Sequence, residues 1–307
     1  MNQKAACLAV GVFCAAWLIA PAKAQRHNHN LSLNFEGNAE HCSDLRARSN
    51  GAVAQSAETF TLQMSEARVL ELRGLEQGIV KVRGWDRGEY SVETCKVAAA
   101  DDQGTAEQAL RGISVSHVGG RFSDSGPKSD DSQWEVYYIV HAPRNASLYV
   151  ETTNGPIDIA DVSGMIQARA ANGPIALSKT SGVVEVHTTN GPISFSEGGG
   201  EVHLIAQNGP IELKLAGDFW NGSQLEARTV NGPLAVNVPD TFRSGIRLET
   251  DGNAPVSCRL SACGSAWRDT GGNQRVLQMN GSNDTLRLST HNGPVSVGAG
   301  KKKDVVI

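Results

Sequence analysis

The chain has none of the short motifs that identify a reaction. There is no Gly-x-Ser-x-Gly elbow, no His-Glu-x-x-His helix, no Walker loop and no dinucleotide-binding glycine set. Calcium-binding Gly-Gly-x-Gly-x-Asp nonapeptides are missing too. So are a Cys-x-x-Cys pair and a histidine cluster, which leaves a metal centre without a ligand set. His27 and His29 stand in a polar N-terminal stretch of the kind that is usually disordered, and we assign no metal there.

Long hydrophobic runs are equally scarce. The one run, Ala5 to Ala20, is short for a bilayer span. It follows Lys4 and precedes Ala22-Lys23-Ala24, a small-x-small cleavage site, so residues 1–24 read as an export signal and the mature chain as starting at Gln25. A retained membrane anchor is the alternative. Without the signal, 26 basic residues face 32 acidic ones, a net charge of −6. That balance argues against nucleic acid as a partner, and the closing Lys301-Lys302-Lys303 reads as a solvated tail. No transmembrane segment is expected after cleavage.

Four cysteines remain, Cys42, Cys95, Cys258 and Cys263. An even count in an exported chain suggests disulfides, and four cysteines allow three pairings. Proximity favours Cys258–Cys263, which leaves Cys42–Cys95; free thiols are the alternative.

What the chain does have is a repeat. Asn-Gly-Pro occurs six times, as Asn154-Gly155-Pro156, Asn172-Gly173-Pro174, Asn190-Gly191-Pro192, Asn208-Gly209-Pro210, Asn231-Gly232-Pro233 and Asn292-Gly293-Pro294. The first four are spaced by 18 residues, and Gly164, Gly182 and Gly200 keep the same step. After each proline the pattern alternates, as in Ile157-Asp158-Ile159 and Ile193-Ser194-Phe195, which marks a strand with one buried face. Each unit therefore reads as strand, glycine corner, strand, Asn-Gly-Pro corner. Asn and Gly tolerate positive φ, and proline suits the first residue of a strand. Stacked corners would let the asparagines form a ladder.

A unit this short cannot bury its own apolar face, but a stack of units can. The expectation is an all-β, right-handed parallel β-helix, a β-solenoid with coils of about 18 residues. Three hexads per coil, as in a left-handed helix, fail at Ser163 and Arg169. Residues 25–60 read as a polar extension or cap and 61–307 as the solenoid. Regular coils cover 148–215 and loop-expanded coils 216–300. Val69 to Cys95 and Tyr137 to Thr153 read as less regular coils, and 104–111 as a short helix.

Gly84-Trp85-Asp86-Arg87, the passage from His141 to Ile159 and the Asn-Gly-Pro-Ile ladder resemble the bacterial exported putative-adhesin family, a domain of unknown function. The resemblance covers roughly residues 65 to 300 and departs from the simplest pattern after Leu215. It implies an exported, repetitive β-helix with no established catalytic residues.

Two regions could carry function. One is the outward face of the longer strands. Tyr149, Gln167, Glu185, His203 and Glu226 fall in one column, and Glu151, Arg169, His187, Ile205 and Arg228 in the next. Glu185 and Glu226 would lie two rungs, about 9.6 Å, apart. Inverting glycosidases hold their carboxylates about 6.5–9.5 Å apart. A solvated charged face is the simpler reading.

The other region is the lengthened corner. The corner prolines at 210, 233, 255 and 294 are 23, 22 and 39 residues apart, and the extra residues carry Phe219, Trp220, Phe242, Arg243, Arg259, Trp267 and Arg268. Insertions in solenoids collect on binding faces, and aromatics beside arginines suit sugar rings or a protein partner. The same loops could instead fold over the stack and bury their aromatics. Asn-x-Ser/Thr sequons such as those at Asn145, Asn221, Asn280 and Asn283 arise readily in so Asn-rich a chain.

The expected function is an exported, non-enzymatic, adhesin-like solenoid of the cell envelope, without cofactor, that meets envelope polysaccharide or a protein. The alternatives are a polysaccharide lyase or hydrolase built on Glu185, His203 and Glu226, or an envelope-stress sensor subunit. Periplasm, outer surface and extracellular space all remain open as locations.

Overall fold

The computed structural model describes residues 31–35, 40–251, 254–269, 274–281 and 283–299. Residues 1–24, read above as an export signal, lie outside the described residues, as do His27, His29 and the terminal lysines. The fold is all-β and solenoid-like, with two long, largely parallel sheets facing each other across the core.

The N-terminal part contains β1 (Ser32–Phe35), β2 (Leu45–Arg48), β3 (Ala52–Gln63), β4 (Val69–Trp85), β5 (Glu89–Ala100), α1 (Gln103–Gly112), β6 (Ser114–Val118), β7 (Arg121–Ser125) and β8 (Ser132–Pro143). The repeats follow as β9 (Ser147–Asn154), β10 (Ile157–Ala160), β11 (Met165–Asn172), β12 (Ile175–Ser178), β13 (Val183–Asn190), β14 (Ile193–Ser196), β15 (Glu201–Asn208), β16 (Ile211–Lys214), β17 (Gln224–Asn231) and β18 (Leu234–Val238). The C-terminal part holds β19 (Ile246–Asp251), β20 (Val256–Cys258), β21 (Trp267–Asp269), β22 (Gln274–Met279), β23 (Leu286–Asn292) and β24 (Val295–Ala299).

Short strands after each proline stack in parallel as the first sheet, with Ile157, Ile175, Ile193 and Ile211 in one column. Longer strands before each asparagine stack as the second sheet, with Leu148, Ile166, Val184 and Val202 in register. The alternating residues point inward and are buried, so each coil adds one layer to a continuous apolar core.

The corners hold the register. Asn172, Asn190, Asn208, Asn231 and Asn292 each donate a side-chain N–H to the Oδ1 of the asparagine one rung before, at 2.8–3.0 Å. Each proline carbonyl accepts from the strand residue of the adjoining rung, as in Ile175 N to Pro192 O at 3.0 Å. A second ladder runs beneath the first. Buried Thr188, Thr229 and Thr290 donate their hydroxyls to the corner carbonyls of Gly173, Gly209 and Gly232. Glycine is required here by close approach, since a Cβ on Gly191 would sit 2.1 Å from the carbonyl oxygen of Gly173. At the opposite corner Asp161, Lys179 and Glu197 adopt φ of 60°, 51° and 53°, left-handed turns on which the glycine pattern was silent.

Two departures from the sequence reading matter. First, residues 25–60 are not a separate extension throughout. From Ala52 the chain is β3, antiparallel to β5, which is antiparallel to β8, at the start of the first sheet. The segment before it packs on the sheet's outer side, where Leu45, Val97, Tyr137 and Ile139 are buried around the Cys42–Cys95 disulfide. The expected helix is α1. Asp102 caps it by accepting from the Thr105 N–H at 3.0 Å, and Ala106 lies against Ala54 and Ala100. Within this end of the core, burial pushes the Asp124 carboxyl up to about 6, and Tyr138 donates its hydroxyl to it at 3.0 Å.

Second, the last coils are not stacked in chain order. β17 pairs with β23, and β18 with β24. β19 and β20 lie one rung further out, on β23 and β24. The antiparallel strands β22 and β21 finish the second sheet. The 39-residue interval before Pro294 is thus not a simple corner loop. It carries β20 and the antiparallel strands β21 and β22, and the final Asn-Gly-Pro unit slots in behind the outer coil of β19 and β20. The second expected disulfide, Cys258–Cys263, staples this end.

Asn190→Ala is expected to lower the unfolding free energy by about 1–2 kcal/mol, because it removes two exposed hydrogen bonds, one to each neighbouring rung. Gly191→Ala, which drives a methyl into backbone, is expected to cost about 3 kcal/mol or more. Urea unfolding measures both, and equal, negligible losses would contradict the ladder's role.

Candidate functional site

The second sheet turns one flat face to solvent. The register confirms both columns anticipated from the sequence. Tyr149, Gln167, Glu185, His203 and Glu226 stand on successive rungs, as do Glu151, Arg169, His187, Ile205 and Arg228. The inserted coil and the one beyond it extend these columns with Arg287 and Arg247, and with Ser289 and Glu249.

At one end of the face, Arg73 lies over the Tyr149 ring, 3.7 Å from its centroid, with Arg169 at 5.9 Å on the same ring. Burial, and a hydrogen bond to Glu151 at 3.0 Å, push the Tyr149 hydroxyl above its usual pKa. Glu71 sits between Arg73 and Arg121, 3.0 Å from each. At the centre, Gln167 donates to Glu185 at 2.9 Å, and His203 lies 3.4 Å from both Glu201 and Glu226. A shallow groove of about 490 Å³ runs here between Arg169, Glu185, His187, His203 and Ile205.

The face is not wholly polar. Val69, Met165, Val183 and Ile205 are 39–52 % exposed on it. Val183 pairs with Met165 on the adjacent strand, so two apolar side chains adjoin beside the charged columns. Sequence reading noted Ile205 but missed Met165 and Val183. Their signal was present, because each opens its strand one place before an inward residue, on the outward phase of the alternation.

The lengthened corner is arranged differently. Trp220 and Phe242 are only 7 % and 1 % exposed and belong to the core. The Trp220 indole donates to the Gly200 carbonyl at 3.2 Å, and its ring lies 6.2 Å from Phe195. Phe219 is 65 % exposed, and Arg243, Arg259 and Arg268 are exposed too. The side chain of Trp267 lies outside what the structure describes. These loops seal the stack with the two described indole and phenyl rings that could have served as sugar platforms.

No protein-family model and no curated protein matches the chain. One solved structure is similar in part, the crystal structure of a putative cell adhesion protein from Clostridium sporogenes. It has 10 % identity, covers 80 % of this chain and all of its own, and superposes with a TM-score of 0.31. Among the described residues no helix is long and apolar enough to cross a membrane, and no three His, Cys, Asp or Glu side chains gather as a metal site.

Trp220→Ala is expected to cost about 3–5 kcal/mol of stability by opening a core cavity. Phe219→Ala should stay within about 0.5 kcal/mol of the parent. Thermal or urea unfolding of the two variants separates a packing loop from a surface anchor.

Proposed function

We propose that the protein is an exported, non-enzymatic β-solenoid that uses the outer face of its second sheet as a rigid surface for an envelope glycan or protein. We take its coils to be right-handed, about 18 residues each, and residues 1–24 to be its export signal. The observation that carries the reading is the in-register face itself. Seven parallel strands hold Tyr149, Arg169, Ile205, Met165 and Val183 in fixed positions beside acids and histidines, and Arg73 on β4 lies over the Tyr149 ring. Flat arrays that mix aromatic, aliphatic and hydrogen-bonding groups suit repeating ligands, since each rung offers the same spacing of about 4.8 Å. The two disulfides fit an oxidising compartment.

The arrangement favours binding over catalysis. Glu226 is 55 % exposed, Glu185 is also open to water, and the groove that Glu185 lines is shallow. Burial and excluded water are what keep a general-acid carboxyl protonated near neutral pH, and neither carboxylate has that setting. The test is co-sedimentation of the purified chain with a panel of envelope polysaccharides, scoring newly released chain ends in the same tubes. Binding without release is expected, weakened about five- to tenfold by Tyr149→Ala or Ile205→Asp. Release of ends that Glu185→Gln abolishes would replace this reading with an enzyme built on Glu185, His203 and Glu226.

A further inference from the structure

The two ends of the stack are finished unequally. At the C-terminal end the outermost strands are β20 and β21, three residues each. At the N-terminal end the second sheet stops at the five-residue β6, but the first sheet stops at β3, which runs for 12 residues. One edge of β3 is paired with β5 over its whole length and without a register break. Among the described residues its other edge is paired with nothing.

Exposed sheet edges are normally blunted by lysine, proline or a bulge. The segment Ala-Val-Ala-Gln-Ser-Ala-Glu-Thr-Phe-Thr-Leu-Gln has none of these. Its single charge, Glu58, already lies 3.8 Å from the Lys96 ammonium on β5. Gln55 to Thr59 are exposed. Beside them a groove of about 480 Å³ opens over Leu45, Ala57 and Val97, so a strand laid along the edge would also find apolar surface.

We propose that β3 pairs with β3 of a second copy, antiparallel about a two-fold axis. The occupant that fits must bring an equally long, almost uncharged open edge, and this chain carries one. Self-pairing about a two-fold axis satisfies both edges in one step and closes the assembly. Growth into a head-to-tail fibre has no comparable edge to use, because the far end offers only three-residue strands. Like charges directly opposite each other disfavour a register that sets Glu58 against Glu58. Two places along, Glu58 faces Ser56 on both sides and the repulsion is relieved. The resulting dimer would present two second-sheet faces, which multiplies weak binding by avidity. The proposal holds whatever that face binds.

The experiment is sedimentation velocity of the purified chain, disulfides intact, over a wide concentration range, paired with amide hydrogen exchange. A monomer–dimer equilibrium is expected, with protection of Ala52–Gln63 that rises with the dimer fraction. Ala57→Lys combined with Thr59→Lys should weaken dimerisation about a hundredfold or more, by setting like charges across the axis, with unchanged circular dichroism. Exchange on the unsubstituted chain gives an answer even if that variant misfolds. A monomer at every concentration, a dimer that protects another segment, or a dimer that survives both lysines would each overturn the proposal.

Discussion

The structure depends on how closely two backbones approach at the Asn-Gly-Pro corner. Gly191 and Gly173 are near enough that a methyl group would overlap a carbonyl. That contact aligns the asparagine amides, the threonine hydroxyls and the proline carbonyls from rung to rung. Once they are aligned, the strands on either side have no freedom of register. A slip of one residue would turn every inward Ile, Leu and Val to solvent. The corner therefore fixes the core, and the core fixes which residues face out.

The same constraint accounts for the order of the last coils. β23 ends in Thr290-His291-Asn292 and leads into Gly293-Pro294, so it can continue both ladders from Thr229 and Asn231. β19 ends in Thr250-Asp251. Its corner runs Thr250-Asp251-Gly252-Asn253-Ala254-Pro255, one residue longer, and sets Ala254 where the coil of β23 and β24 has Gly293, a position at which a Cβ would sit 2.1 Å from the Gly232 carbonyl oxygen, although Thr250 still reaches a corner carbonyl. The segment with the complete corner takes the inner rung and the incomplete one becomes the end, with His291 lying 2.9 Å from Asp251 across the junction. Stacking follows corner chemistry here, not position along the chain.

This also marks what was legible in the sequence. Strand alternation and the 18-residue step announced the paired sheets and placed Tyr149, Glu185, His203 and Ile205 on one face before any coordinates. The Cys258–Cys263 pairing and the short helix could be read locally, and Cys42–Cys95 followed only as the pair left over. The order of the last coils could not be read by spacing, because a 39-residue gap looks the same whether it is a loop or a displaced coil. The side on which Trp220 and Phe242 would lie was equally hidden. An aromatic in an insertion faces in or out according to what the neighbouring rung leaves uncovered, here the Gly200 corner and Phe195. The edge strand β3 has no Asn-Gly-Pro mark and pairs antiparallel, so the repeat gave no hint of it.

The claim that corner chemistry sets the stacking order can be tested most directly by cross-linking. Arg228 lies beside Ser289 on the adjacent strand, and Glu249 lies one rung further on. Adjacent positions suit a disulfide, and positions two rungs apart, about 9.6 Å, do not. The chain with Arg228→Cys and Ser289→Cys should form the new bridge quantitatively in non-reducing peptide maps, while Arg228→Cys with Glu249→Cys should leave both thiols free. The reverse result would show coils stacked in chain order and would contradict the account.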